Sequence, residues 1–407
     1  MSPVKIGSQD SRVATNDRAE KGNPVTQSSR LPSLDGWRAV SILMVLGLHA
    51  KRLEGFPKSV PAIYDWIFDG DLGVRFFFII SGFLITWLML SEHSRTGTVS
   101  LKNFYIRRCF RILPVYFAYV GVLFLLQRFT AYSQPPRAWI ANLTFTTNFA
   151  NVPWPSQHLW SLSVEEQFYL LWPLLFLILG VSVNLKAARR VLVAPILIAP
   201  VFRLLEYKHY YPASLSALFT HASFFRYFDC LAIGCGCAIL LANRPENVRS
   251  QLQKFSLAVP FLALGLIALP RVFMLLVLPG RLIDMTGFTL QGAGLALLLL
   301  QSICFPQLLR YRWLNWAIVR HIGILSYSIY IWQQIFFANP ADFGLKSAWW
   351  LALPGSLLAI FVVAHISYYG LELPFLRIRA RFREKQRRPD GQAISAVSVG
   401  AVTEKVP

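Results

Sequence analysis

The sequence predicts an all-α fold: a polytopic transmembrane helical bundle of about ten spans with both termini cytoplasmic. Three observations predict it. Apolar residues make up 55% of the 407-residue chain and charged residues only 15%, whereas soluble domains run at roughly 45–50% and about 25%. The chain also holds 31 Phe, 15 Tyr and 12 Trp, more apolar surface than a water-facing domain hides without aggregating. Ten apolar segments lie near 36–53, 72–91, 112–130, 159–180, 190–206, 222–242, 256–278, 286–305, 321–338 and 348–370. About 20 helical residues suffice to cross a ~30 Å hydrocarbon core. The third observation is charge. The chain carries +20 formally, and Lys and Arg concentrate between alternate segments and in the C-terminal run from Arg377 to Arg388, which places those parts on the cytoplasmic side.

This composition excludes an ordinary soluble domain, a disordered chain and a disulfide-stapled secreted module. Nucleic acid is not an expected partner, because no motif supports it and membrane topology accounts for the basic residues. The membrane lipid bilayer is the first expected partner. Residues 1–33 are polar, with no apolar h-region, and read as a flexible cytoplasmic tail and not a cleavable signal peptide. Residues 34–376 form the transmembrane domain and 377–407 a basic cytoplasmic tail. Cys109, Cys230, Cys235, Cys237 and Cys304 fit neither a zinc site nor a disulfide framework and read as packing residues; no metal site is expected.

The first segment reads Leu34-Asp35-Gly36-Trp37-Arg38, then an apolar run, then His49. Asp35 is a good N-cap. Arg38 and His49 are eleven residues apart, almost three turns, so they share a helix face about 16 Å apart along the axis. Arg38 at the cytoplasmic boundary reads as a snorkelling anchor or a functional cation. His49 lies deep in the membrane or toward its outer side. There it either packs through a hydrogen bond or takes a proton from a hydroxyl.

In the second segment, Ser81-Gly82 lets another helix approach closely, and Arg75 requires an acidic partner or a water-filled cavity. The next helix opens with Arg107-Arg108…Arg111, whose i,i+3 and i,i+4 spacing puts a fork of guanidinium groups on one face. Such a fork grips phosphates or simply anchors the cytoplasmic side. The fourth segment starts with His158-Leu159-Trp160-Ser161-Leu162-Ser163-Val164-Glu165-Glu166-Gln167-Phe168-Tyr169. Ser163 and Glu166 fit a capping box, leaving Glu165 at the helix mouth, on the side toward which His49 points. The fifth segment is the weakest, because Pro195 and Pro200 interrupt it. In the sixth, Arg226 and Asp229 are spaced as an internal ion pair, and Gly234 and Gly236 suit close packing. Glu372 sits at the cytoplasmic exit of the last.

These motifs, in this order, resemble the integral-membrane acyltransferase family 3, which includes bacterial polysaccharide and lipopolysaccharide O-acetyltransferases. The resemblance runs from about Leu34 to Phe375. Its carriers are Leu34-Asp35-Gly36-Trp37-Arg38…His49, Gly73…Phe77-Phe78…Ser81-Gly82-Phe83-Leu84, the arginine motif Phe104-Tyr105-Ile106-Arg107-Arg108…Arg111-Ile112…Pro114, and the His158–Tyr169 run. One departure is Gln333, where the family often has His.

The resemblance implies an O-acyltransferase of a bacterial inner membrane. It would move an acyl group, expected to be acetyl, from cytoplasmic acyl-CoA as co-substrate to a hydroxyl of a glycan or lipid-linked saccharide. The expected roles are His49 as general base assisted by Arg38, Arg107, Arg108 and Arg111 on the CoA phosphates, and Glu165 orienting the acceptor or His49. The competing reading is a transporter or flippase that uses the same buried charges as a substrate path. It calls for inverted repeats, and none is evident in the sequence.

Overall fold

A computed structural model describes residues 31–181, 185–208, 222–276 and 280–386; most of the two predicted tails, 1–30 and 387–407, lies outside these. The described residues are helical, with no β-strand. Each of the ten apolar segments contains a helix: α1 (Leu34–Ala50), α2 (Gly70–Thr96), α3 (Leu101–Phe129), α4 (Leu159–Ile178), α5 (Leu185–Lys208), α6 (Phe224–Asn243), α7 (Ala258–Leu275), α8 (Gly280–Cys304), α9 (Ala317–Phe336) and α10 (Gly355–Ser367). A π-helical turn, Tyr368–Glu372, leads from α10 into α11 (Leu373–Gln386). Six helical stretches among the described residues, including Leu101–Phe129, Phe224–Asn243 and Met285–Cys304, are long and apolar enough to cross a membrane. The protein is an α-helical membrane protein.

Local chemistry sets the helix starts. The Asp69 side chain caps α2 by accepting from Leu72 N at 2.9 Å, and Ser100 caps α3 by accepting from Asn103 N at 3.3 Å, each satisfying one of the free N–H groups of a first turn. Two predicted caps are corrected. Asp35 lies inside the first turn of α1, and the residue before the helix is Ser33, held by its N–H to Asn315 Oδ1 at 2.8 Å and its hydroxyl to Ser302 O at 3.1 Å. Asp35 still favours the helix, through the N-terminal end of the dipole. The Ser163–Glu166 capping box does not form. α4 starts one turn earlier, at Leu159, and Ser163 donates to Leu159 O at 3.0 Å inside the helix. Despite Pro195 and Pro200, α5 is a single helix.

Glycine contacts set the tightest junction. A Cβ on Gly82 of α2 would lie 2.2 Å from Leu231 O, and one on Gly234 of α6 would lie 2.1 Å from Ile79 O. The two helices therefore touch backbone to backbone, as small residues permit in membranes. Gly236 lacks that role, its nearest neighbour being a Leu192 methyl at 3.6 Å. α1 and α9 run parallel: a Cβ on Gly323 would sit 1.8 Å from Asp35 O at their starts, and His49 meets Gln333 at their far ends.

The predicted Arg226–Asp229 pair is also corrected. α5 lies against α6 and brings Arg203 and Glu206, another i,i+3 pair of opposite charge. The four residues pair across the two helices. Arg203 donates to Asp229 at 2.7 Å, with both side chains fully buried, and Arg226 pairs with Glu206. Thr289 of α8 adds a hydroxyl to Asp229 at 2.5 Å. Arg75 has Asp69 as its acidic partner at 3.9 Å and lies 4.2 Å over the ring of Phe288.

Candidate active site

Five helices, α1, α2, α3, α4 and α9, enclose a cavity of about 120 Å³. Its walls are apolar, from Phe77, Phe78, Leu84, Ile112 and Leu162, and three arginines, Arg38, Arg108 and Arg111, line it as well. The three-arginine fork predicted on one face of α3 is corrected: Arg108 and Arg111, three residues apart, line the cavity and Arg107 does not. Arg107 leaves the cavity lining and pairs with Glu92 at 2.6 Å. Arg111 lines the cavity and pairs with Glu372 of the π-helical turn, which also accepts from Ser328 Oγ at 3.1 Å. Arg108 lies over the ring of Tyr169 at 5.2 Å. Neither Arg108 nor Arg38 has an ion pair or hydrogen bond among the described residues. The cavity therefore presents two cations with no acceptor of their own, the requirement for binding an anionic ligand.

Glu165 faces these arginines. One carboxylate oxygen accepts from Ser81 Oγ at 2.7 Å, and the other lies 3.2 Å from the Tyr169 hydroxyl. Helix α2 supplies Ser81 next to the Gly82 contact, so the backbone junction with α6 also holds this hydroxyl in place. Ser81, Tyr169, Tyr330 and Glu372 were not among the residues assigned a role from sequence. The Ser81-Gly82 pair was legible as a packing signal only, because nothing local says which face of α2 meets α4.

His49 does not line this cavity. It ends α1, eleven residues beyond Arg38, about 16 Å along the axis. Its Nδ1 lies 2.9 Å from Gln333 Oε1, and its ring meets Trp154 and Phe337 edge-on at centroid distances of 5.3 and 6.0 Å. The structure thus brings Glu165 together with Arg38, Arg108 and Arg111, and sets His49 apart from all four. No hydrogen bond joins Glu165 to His49. The two regions are linked by α9, parallel to α1. Tyr327 and Tyr330 line the cavity, and Gln333, one turn further, touches His49. His158 is tied differently: it is buried, with Nε2 3.0 Å from Ile331 O.

A profile of the acyltransferase domain, the acyltransferase 3 type, matches residues 31–369. The chain belongs to this acyltransferase family. Among curated relatives of this chain, the peptidoglycan O-acetyltransferase OatA of Listeria monocytogenes is 25% identical, over 91% of this chain and 61% of the relative. YrhL of Bacillus subtilis, provisionally assigned as a peptidoglycan O-acetyltransferase, is 28% identical over 89% of this chain and 57% of the relative. The chain spans about three fifths of the length of these relatives. No solved structure matches it. The matched region contains every cavity-lining arginine, Glu165 and His49.

Proposed function

We propose that the protein is a membrane-embedded O-acyltransferase that moves an acetyl group from cytoplasmic acyl-CoA to a hydroxyl of a glycan or lipid-linked saccharide. The observation that carries this reading is the cavity with two acceptor-free guanidinium groups, Arg38 and Arg108, whose α9 wall leads to His49. Arg108 and Arg38 take the phosphates of the donor, and Arg111 contributes while keeping Glu372. Arg107 reaches a phosphate only by leaving Glu92, so its share is smaller. The apolar sleeve of Phe77, Phe78 and Leu162 suits the pantetheine arm and a short acyl group. Glu165, fixed by Ser81 and Tyr169, orients the donor end of the site.

At the other end, His49 removes the proton of the acceptor hydroxyl as its oxygen attacks the thioester carbon. The carbon–sulfur bond breaks, a carbon–oxygen ester bond forms, and the thiolate of CoA takes up a proton in turn. The names of the relatives supply peptidoglycan as the first acceptor to try. The topology that fits is ten spans in a bacterial inner membrane, with both termini cytoplasmic. Arg38 and the arginine cluster then face inward and His49 outward.

Purified protein in lipid nanodiscs, given radiolabelled acetyl-CoA and a glycan or lipid extract, should yield an alkali-labile acetyl ester. Movement of the saccharide across the bilayer without ester formation would favour the flippase reading. Reporter fusions after residue 390 and within 131–157 should report inside and outside respectively; the reverse pattern would overturn the topology.

A further inference from the structure

We propose that Gln333 is a positioning residue that sets the tautomer of His49, leaving Nε2 as the proton-accepting nitrogen; this rests on the reading of His49 as the base. A neutral imidazole carries one proton, and the hydrogen bond made by one nitrogen decides the role of the other. Nδ1 of His49 faces the amide oxygen of Gln333 at 2.9 Å. An amide oxygen only accepts, so Nδ1 carries the proton and Nε2 keeps its lone pair.

The surroundings agree. Gln333 is fully buried, its amide nitrogen has no partner among the described residues, and the contact with His49 is the one hydrogen bond its side chain makes there. The same turn of α9 holds the neighbours of the imidazole. Gln334 donates to Trp154 O at 3.0 Å, the Trp154 ring lies T-shaped against His49, and the Arg52 guanidinium lies 3.7 Å over the Trp154 ring. Nε2 of His49 has no hydrogen-bond partner among the described residues. His158 shows the opposite arrangement: its Nε2 is used on Ile331 O and its Nδ1 is buried without a partner. Of the two histidines, His49 has its unpaired nitrogen at Nε2, whereas His158 has its unpaired nitrogen buried at Nδ1.

The test compares Gln333→Glu, which keeps length and an accepting oxygen, with Gln333→Met, which keeps length and loses the acceptor. Each variant is assayed in nanodiscs for acetyl transfer from acetyl-CoA, beside ¹⁵N spectra of histidine-labelled protein in which His49 is assigned from the His49→Gln variant. The wild-type spectrum should show His49 protonated at Nδ1. The Met variant should show a mixture of tautomers and a kcat lower by roughly 10–100-fold, with the acetyl-CoA KM unchanged, and the Glu variant should stay within a few-fold of wild type. A wild-type His49 protonated at Nε2 overturns the proposal, as does a Met variant with wild-type kcat or a Glu variant as slow as Met. The two readings fail differently. If His49→Gln transfers at the wild-type rate, His49 is not the base. If His49→Gln is inactive and Gln333→Met is unaffected, only the role of Gln333 falls.

Discussion

Arg108 is the residue whose replacement discriminates best between a donor site and simple membrane anchoring. Anchoring predicts that Arg107, Arg108 and Arg111 are interchangeable, since each adds one positive charge to the same end of α3. The structure makes them unequal. Arg108 lines the cavity with no ion pair among the described residues, and the nearby Glu165 keeps its hydrogen bonds to Ser81 and Tyr169 without it. A charge-assisted contact to phosphate contributes about 1.5–3 kcal/mol, and about 1.4 kcal/mol is tenfold. Arg108→Ala should therefore raise the KM for acetyl-CoA roughly 10- to 150-fold with little change in melting temperature. Arg108→Lys should recover only part, because an ammonium lacks the planar fork. Arg107→Ala removes a partly exposed pair with Glu92 outside the cavity lining, worth about 1 kcal/mol, and should move KM a few-fold at most. Arg111→Ala leaves the fully buried Glu372 side chain without its cation, a loss of about 3–5 kcal/mol, so it should lower stability as well as affinity. Initial rates over a range of acetyl-CoA concentrations, with thermal unfolding of each variant in detergent, separate these outcomes. Equal KM values for wild type and a well-folded Arg108→Ala would refute the phosphate assignment, and so would equal effects at Arg107 and Arg108.

Three further outcomes follow from the packing and the chemistry. His49→Gln should keep the fold and donor binding yet lose about 10²–10⁴-fold in transfer rate; a near wild-type rate would reduce His49 to a packing residue. Asp229→Ala should destabilise by about 3–5 kcal/mol, because it leaves the buried Arg203 guanidinium unpaired, whereas a double change of Arg203 and Asp229 to apolar residues of similar volume should recover much of that loss; unfolding midpoints in detergent measure both. Gly234→Val should force α2 and α6 apart and lower stability by at least about 1–3 kcal/mol, while Gly121→Ala, where an added Cβ meets nothing within 4 Å, should be neutral or slightly stabilising.

The helices and their membrane location were legible in the sequence, because both depend on apolar composition over about twenty consecutive residues. That is why all ten apolar segments contain helices, and why even the proline-bearing segment at 190–206 lies inside one. The motif order likewise carried the family, which the match over residues 31–369 bears out. Charge partners were not legible. Within one helix, i,i+3 spacing suggested Arg226 with Asp229, but such a local pair is worth only about 0.2–0.5 kcal/mol, and the neighbouring helix brings partners that pair in the buried interior. The same contest decided which arginines are free. Arg107 and Arg111 meet Glu92 and Glu372, while Arg38 and Arg108 line the cavity without an ion pair among the described residues. Glu165 could be seen as an acid at a helix mouth, but its place among the arginines, with no hydrogen bond to His49, depends on how α4 is rotated against α2. Gln333 read as a departure from the family pattern, and only the parallel packing of α1 on α9 put its amide against His49. Apolar runs are local and so can be read along the chain. The partner of a buried polar group is whatever another helix places within about 3 Å of it, which only the assembled bundle decides.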